Sequence, residues 1–128
     1  MSTRRNISFG GQLESIVGYS RAVVVGPWCF LAGTTGSDPH TKQIPADIKV
    51  QVANAFGTAE RALLEAGFVM SDVVRVTYYV TEPGIHDELA PLFGDRFRDI
   101  RPAATYLEVA GLAYPELKFE VEITALKA

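Results

Sequence analysis

Near the end of the chain a carboxylate lies in a strictly alternating segment, Leu117-Lys118-Phe119-Glu120-Val121-Glu122-Ile123-Thr124-Ala125-Leu126. Phe119, Val121, Ile123 and Ala125 fall on one side, and Lys118, Glu120, Glu122 and Thr124 on the other. A period of two marks a strand with one face on a core. Glu120 is therefore held on a defined face. There it can position a water or act as a general base, a role favoured by a pKa raised through burial. The plain alternative is a strand carboxylate paired with Lys118 or with an arginine of another chain. The preceding segment, Arg101-Pro102-Ala103-Ala104-Thr105-Tyr106-Leu107-Glu108-Val109, alternates as well. If the two segments pair, Ala104, Tyr106 and Glu108 share a face with Glu120.

Other residues carry less. Tyr19 can orient a ligand through its hydroxyl, or fill a subunit interface. Arg101 can anchor an anion, although a residue before proline is usually an extended surface position. Arg75 reads as the member of an interface ion pair, on the face opposite Val74 and Val76. His40 and His86 have no metal-ligating neighbours at useful spacing, so no metal site is expected. Cys29 sits in an apolar run without a basic neighbour, which describes an inert buried thiol. Gly33-Thr34-Thr35-Gly36 lacks the lysine and the following helix start of a phosphate loop. Two histidines give no Ser-His-Asp order to propose.

The elements that must position these residues follow from periodicity and punctuation. Residues 1–12 are polar and glycine-containing and read as a loose arm. Tyr19–Val25 and Trp28–Gly33 are strands joined by the turn signal Gly26-Pro27. Residues 34–45 form a loop. A helix opens near Asp47, buries a stripe of Ile48, Val52, Ala55, Phe56, Ala59 and Leu63, and stops at Gly67. Val73–Val80 is the clearest strand. A second helix is expected from near Glu88, with Pro91 in its first turn, to about Phe97. Two closing strands follow. The order is β-β-α-β-α-β-β: a single α+β domain, a mixed sheet with two helices on one face. The helical crossover between the second and third strands allows them to run parallel. Apolar positions on both registers of those strands point to cover from other copies of the chain.

The totals bound the rest. The 128 residues, 48% hydrophobic and 21% charged, suit one domain of a soluble protein. No run is long enough for a membrane span, and the start shows no signal peptide. One cysteine excludes an internal disulfide, and together these features favour the cytoplasm. A net charge of -3 with scattered basic residues argues against nucleic acid as the main partner.

Several pieces recur in a specific order: Gly18-Tyr19-Ser20, Gly33 ahead of Asp38-Pro39, Ile44-Pro45-Ala46-Asp47, Gln51, Glu65-Ala66-Gly67, Asp72-Val73-Val74, Pro102-Ala103, Glu108-Val109-Ala110 and Glu120-Val121-Glu122. On these the chain, from about Gly18 to Ala125, resembles the RidA/YjgF family of small trimeric imine and enamine deaminases. The resemblance implies a chorismate-mutase-like fold and a homotrimer with helices outside and sites in the clefts between subunits. It also implies hydrolysis of a reactive imine or enamine to ammonia and a 2-oxo acid, with no metal or organic cofactor.

Carried over residue by residue, the resemblance makes Tyr19 the pocket tyrosine, Gly33 the pocket glycine and Glu120 the carboxylate that positions water. Backbone around Gly33-Thr34 and Thr105-Tyr106 would hold the polar atoms of a small-molecule ligand. Four positions depart from the pattern. The family's carboxylate-gripping arginine is Ala104, its pocket cysteine Tyr106, the serine before the glycine Ala32, and the asparagine of the second helix Ala90. Losing a bidentate arginine contact in a buried site costs on the order of 2–5 kcal/mol. The chain thus resembles an arginine-less branch with an altered substrate range, unless Arg96 or Arg101 substitutes. Tyr106 would fill the vacated volume and favour a flatter, less charged ligand. The other reading is a non-catalytic module of this fold that binds a small molecule or a protein. A ribonuclease activity, also associated with the family, fits the acidic balance least.

Overall fold

A computed structural model describes residues 4–128. Its backbone is a six-stranded sheet in the order β1-β2-β3-β6-β4-β5 with two long helices. The strands are β1 (Arg4–Ile7), β2 (Ala22–Val25), β3 (Trp28–Thr35), β4 (Val73–Val80), β5 (Ala103–Glu108) and β6 (Phe119–Leu126). The helices are α1 (Ile48–Ala66) and α2 (His86–Phe97). No helix among the described residues is long and apolar enough to cross a membrane.

Local chemistry explains most boundaries. The Asp47 side chain caps α1 by accepting the Lys49 N–H at 2.8 Å, satisfying a donor that the first turn leaves free. Gly67 closes the helix in the left-handed conformation (φ 88°), which glycine adopts without strain. Ile48, Val52, Ala55, Phe56, Ala59 and Leu63 all lie buried against one face of the sheet. Phe56 is the hub. It meets Tyr78, Phe93, Phe97 and Phe119 at centroid distances of 5.8–6.3 Å, within the range of favourable aromatic pairs.

Four expectations need correction. Residues 1–3 lie outside the described residues, but Arg4–Ile7 is not a loose arm. It pairs antiparallel with β2, where the open edge offers unpaired backbone groups. Arg5 Nη2 also donates to the Ala66 carbonyl at 2.8 Å, serving an orphan acceptor at the end of α1. Second, the two closing strands do not pair. The α2 crossover lays β5 parallel to β4 at the sheet edge, and β6 returns antiparallel between β3 and β4. Strands β3 and β4 run in the same direction, with β6 between them. Third, α2 begins at His86, so Pro91 lies inside it. Pro91 is solvent-exposed, where water can take the carbonyl its missing N–H would have bonded. Fourth, a register shift between Val73 and Arg75 leaves both Val74 and Arg75 exposed, so Val74 does not share the core face of Val76.

Candidate functional site

Glu120 is the second residue of β6 and opposes Tyr79 on one side and Thr35 on the other. Its neighbours Phe119 and Val121 are fully buried on the helix side. Glu120 therefore stands on the face that no helix covers. It is half-buried there, and a second register shift explains how. Between Leu31 and Thr34, β3 carries an irregularity opposite Glu122 that brings the Gly33 backbone inward. The Glu120 carboxylate lies so close that a Cβ at position 33 would collide with it. Burial holds the Glu120 carboxyl above its ordinary pKa; the nearby Arg21 charge opposes this rise and Glu122 adds to it. A cavity of about 280 Å³ is lined by Gly33, Tyr79, Leu112, Glu120 and Glu122. Tyr79 is committed to this wall, since its hydroxyl donates to Glu122 Oε1 at 3.0 Å.

Lys118 does not pair with Glu120. Its ammonium donates to the Ala46 carbonyl at 2.8 Å. The cation that does act on Glu120 is Arg21, a residue that pattern reading passes over because it stands at a strand start without a motif. Arg21 Nη2 donates to the Gly33 carbonyl at 2.7 Å, and the guanidinium lies 5.8 Å from the centre of the Tyr19 ring. One signal was available: Tyr19 and Arg21 are two residues apart at the start of an extended segment, so they share a side. Tyr19, Arg21, Gly33 and Glu120 thus form one neighbourhood.

The remaining predicted residues form a different group. Val76 opposes Ala104, and Tyr78 opposes both Tyr106 and Val121. Ala104, Tyr106 and Glu108 therefore face the helices, on the side of the sheet opposite Glu120 in the same subunit. The expectation of a shared face fails because β4 intervenes and sets the register. Tyr106 packs edge-on against His86 at 4.7 Å and lies 6.3 Å from Phe93. Its hydroxyl is buried without a partner, and burial, with Glu108 adding to it, raises its pKa. Tyr106 leaves the position-104 volume open. A cavity of about 450 Å³ there is lined by Ala90, Phe93, Phe97, Arg98, Arg101 and Ala104, among others. Arg101 reaches this cavity from a left-handed backbone (φ 57°), unlike the extended form expected before proline. Its Nε donates to the Arg98 carbonyl at 2.9 Å. Arg96 instead bonds Glu60 at 3.4 Å and stacks on Phe56.

Thr34 is fully buried and its hydroxyl donates to the Ala32 carbonyl at 2.9 Å, whereas Thr105 is exposed opposite Thr77. Glu108 accepts the Gly84 N–H at 3.0 Å, pinning the turn before α2. Among the described residues no group of His, Cys, Asp and Glu is arranged to hold a metal. Cys29 is buried, and desolvation pushes its thiol up in pKa.

The family model described as Endoribonuclease L-PSP matches residues 10–127. The chain belongs to this family, the RidA/YjgF family. A RutC family protein of Aquifex aeolicus is 33% identical over 111 residues, which are 85% of this chain and 88% of that one. The crystal structure of Rv2704 from Mycobacterium tuberculosis, a YjgF/YER057c/UK114 member, is 40% identical with a TM-score of 0.88, covering 97% and 99% of the two chains. TdcF of Escherichia coli, whose name assigns it provisionally to reactive-intermediate deamination, is 25% identical over 115 residues, 86% of this chain and 87% of its own. The sheet, its strand order and the two covering helices are thus the RidA/YjgF fold.

Proposed function

We propose that the chain is a cofactor-free hydrolase of the deaminase type, acting on a reactive imine or enamine. It works as a cytoplasmic homotrimer with its sites in the clefts between subunits. The observation that carries this reading is Glu120, a half-buried carboxylate of raised pKa lodged against the Gly33 backbone at a cavity wall. A water between Glu120 and the C=N carbon of a bound imine loses its proton to the carboxylate as its oxygen attacks. Glu120 returns that proton to the nitrogen to give the neutral carbinolamine, whose hydroxyl proton then passes through the carboxylate to the nitrogen as the C–N bond breaks, releasing ammonia and a carbonyl product. Tyr19 orients the ligand, and the backbone at Gly33-Thr34 and Thr105-Tyr106 holds its polar atoms. The name of TdcF agrees with this chemistry.

Two features support assembly. The Glu120 group and the Ala104 group lie on opposite faces of one subunit, so they meet only if one copy's face closes on another's edge. The bare face also carries Val25, Trp28 and Phe30, each at least 40% exposed, with Trp28 and Phe30 stacked 6.0 Å apart. A second copy is their natural cover.

The substrate range departs from that of simple 2-imino acids. At the position of the family's gripping arginine stands Ala104, and Ala90 stands at that of its asparagine, so the cavity between them offers apolar walls with Arg101 at one side. A ligand with a flat or apolar body suits it, its charge met by Arg101. This missing grip also favours a second reading, a binding module without catalysis. One assay separates the two. Imino acids are generated in situ from a short and from an aromatic amino acid by an amino-acid oxidase, and their decay is followed with and without the protein. Faster decay, greater for the aromatic substrate and abolished in Glu120→Ala, supports the hydrolase. Equal decay with and without the protein contradicts it.

A further inference from the structure

A third cavity, about 560 Å³, opens between the segment Phe9–Glu14, the loop after β3 and the middle of α1. Its lining carries three cations, Arg21, Lys42 and Arg61, and one carboxylate, Glu14. Glu14 is already engaged, because its Oε2 accepts the Phe9 N–H at 3.0 Å. No cation here has a carboxylate bonded to it among the described residues. Lys42 Nζ donates to the Pro39 carbonyl at 3.1 Å, and the Arg61 guanidinium lies 4.1 Å from the centre of the Phe9 ring. Arg21 bonds the Gly33 carbonyl with one Nη, yet its Nε is buried with no partner. A buried donor left unmade is costly, and an incoming acceptor relieves that cost. Ser37 and Thr58 add hydroxyls to the same wall. This cluster stands in a chain of net charge -3, so it inverts the overall balance locally.

We infer that this cavity binds a compact organic dianion. The cations come from three separate elements, so they can grip two acidic groups at once, and the volume admits a short carbon body rather than a bare ion. A dicarboxylate and a phosphate ester share this chemistry. The cavity adjoins the imine site and shares Tyr19, Arg21 and Thr34 with it, but Lys42 and Arg61, which line neither the Glu120 cavity nor the Ala104 cavity, belong to the dianion's grip alone.

Calorimetric titration of the full chain at low salt tests it, with succinate and glycerol 3-phosphate as the two dianions and acetate as the single-charge control. At least one dianion binds saturably, about tenfold or more tighter than acetate. Arg61→Gln and Lys42→Gln each weaken that binding by about tenfold, with melting temperatures unchanged because both side chains are exposed. Arg61→Lys retains part of it, and Glu120→Ala leaves it intact. The inference is overturned if neither dianion binds saturably, or if affinity survives both glutamine variants. Loss of binding in Glu120→Ala overturns it too, by moving the dianion to the imine site, and it does so whether or not the imine chemistry exists.

Discussion

Glu120 and Gly33 are a matched pair: a carboxylate occupies the space that any side chain at 33 would need. Gly33→Ala must push the carboxylate aside. The displaced group is the end of a flexible side chain, so melting temperature changes little while hydrolytic rate falls by about a hundredfold. The titration of Glu120 gives a second test. Below pH ~4 both folded and unfolded chains hold the proton, and Glu120 costs nothing. As pH rises through the ordinary carboxylate value, the unfolded state releases its proton first, because the folded pKa is raised. Stability therefore falls with rising pH until Glu120 itself ionises. Glu120→Gln removes this loss: thermal denaturation should show the variant more stable than the parent at pH 8 and equal to it near pH 4. Its kcat/KM should fall by about 10²–10⁴-fold, the usual value of a positioned base. Alternation put Glu120 on a defined face of its strand, and the family resemblance, not the spacing, gave it a role. The same alternation puts Arg21 on the side of Tyr19, but nothing in a strand start says that its side chain will reach across to the Gly33 carbonyl.

At the scale of elements, Gln51 holds the approach to β6. Fully buried in α1, it donates to the Pro45 and Glu116 carbonyls at 2.7 and 3.0 Å and accepts the Lys118 N–H at 2.8 Å. These bonds fix the segment that delivers Glu120. Gln51→Leu strands three backbone groups in the interior and should lower unfolding free energy by about 2–4 kcal/mol in urea titration. Gly36 packs directly on the Gln51 backbone, so Gly36→Ala should cost about 1–3 kcal/mol by overpacking. Helix α1, the β2–β3 turn and the core stripe were readable because caps, glycines and periods of 3.6 and 2 are local signals; the start of α2 was not, since no side chain caps it and Pro91 lies inside it. Strand order was not. The pairing of β6 with β3 and β4 depends on residues some ninety and forty positions away, and no local pattern encodes which gap a returning strand fills. The two register shifts escaped for the same reason, and one of them is what places Gly33 beside Glu120.

Among the described residues, the sheet face that no helix covers carries Glu120 together with exposed Val25, Trp28 and Phe30, while Ala104 lies on the opposite face. If copies of the chain cover the bare face, a charge placed on it must disperse them. Trp28→Glu should shift sedimentation from trimer to monomer without unfolding the subunit, because Trp28 lies outside the core cluster. Mixed trimers then give the most direct measurement. Glu120→Ala removes the base from one face, and Ala104→Trp blocks the cavity at the other edge. Each homotrimer should be inactive on the imino acids. Refolded together in equal amounts, they should regain about a quarter of the parent's activity, the share of clefts in which two intact halves meet across a subunit boundary. Mixtures that stay as inactive as the separate variants, though shown to exchange subunits, would contradict a site built between copies.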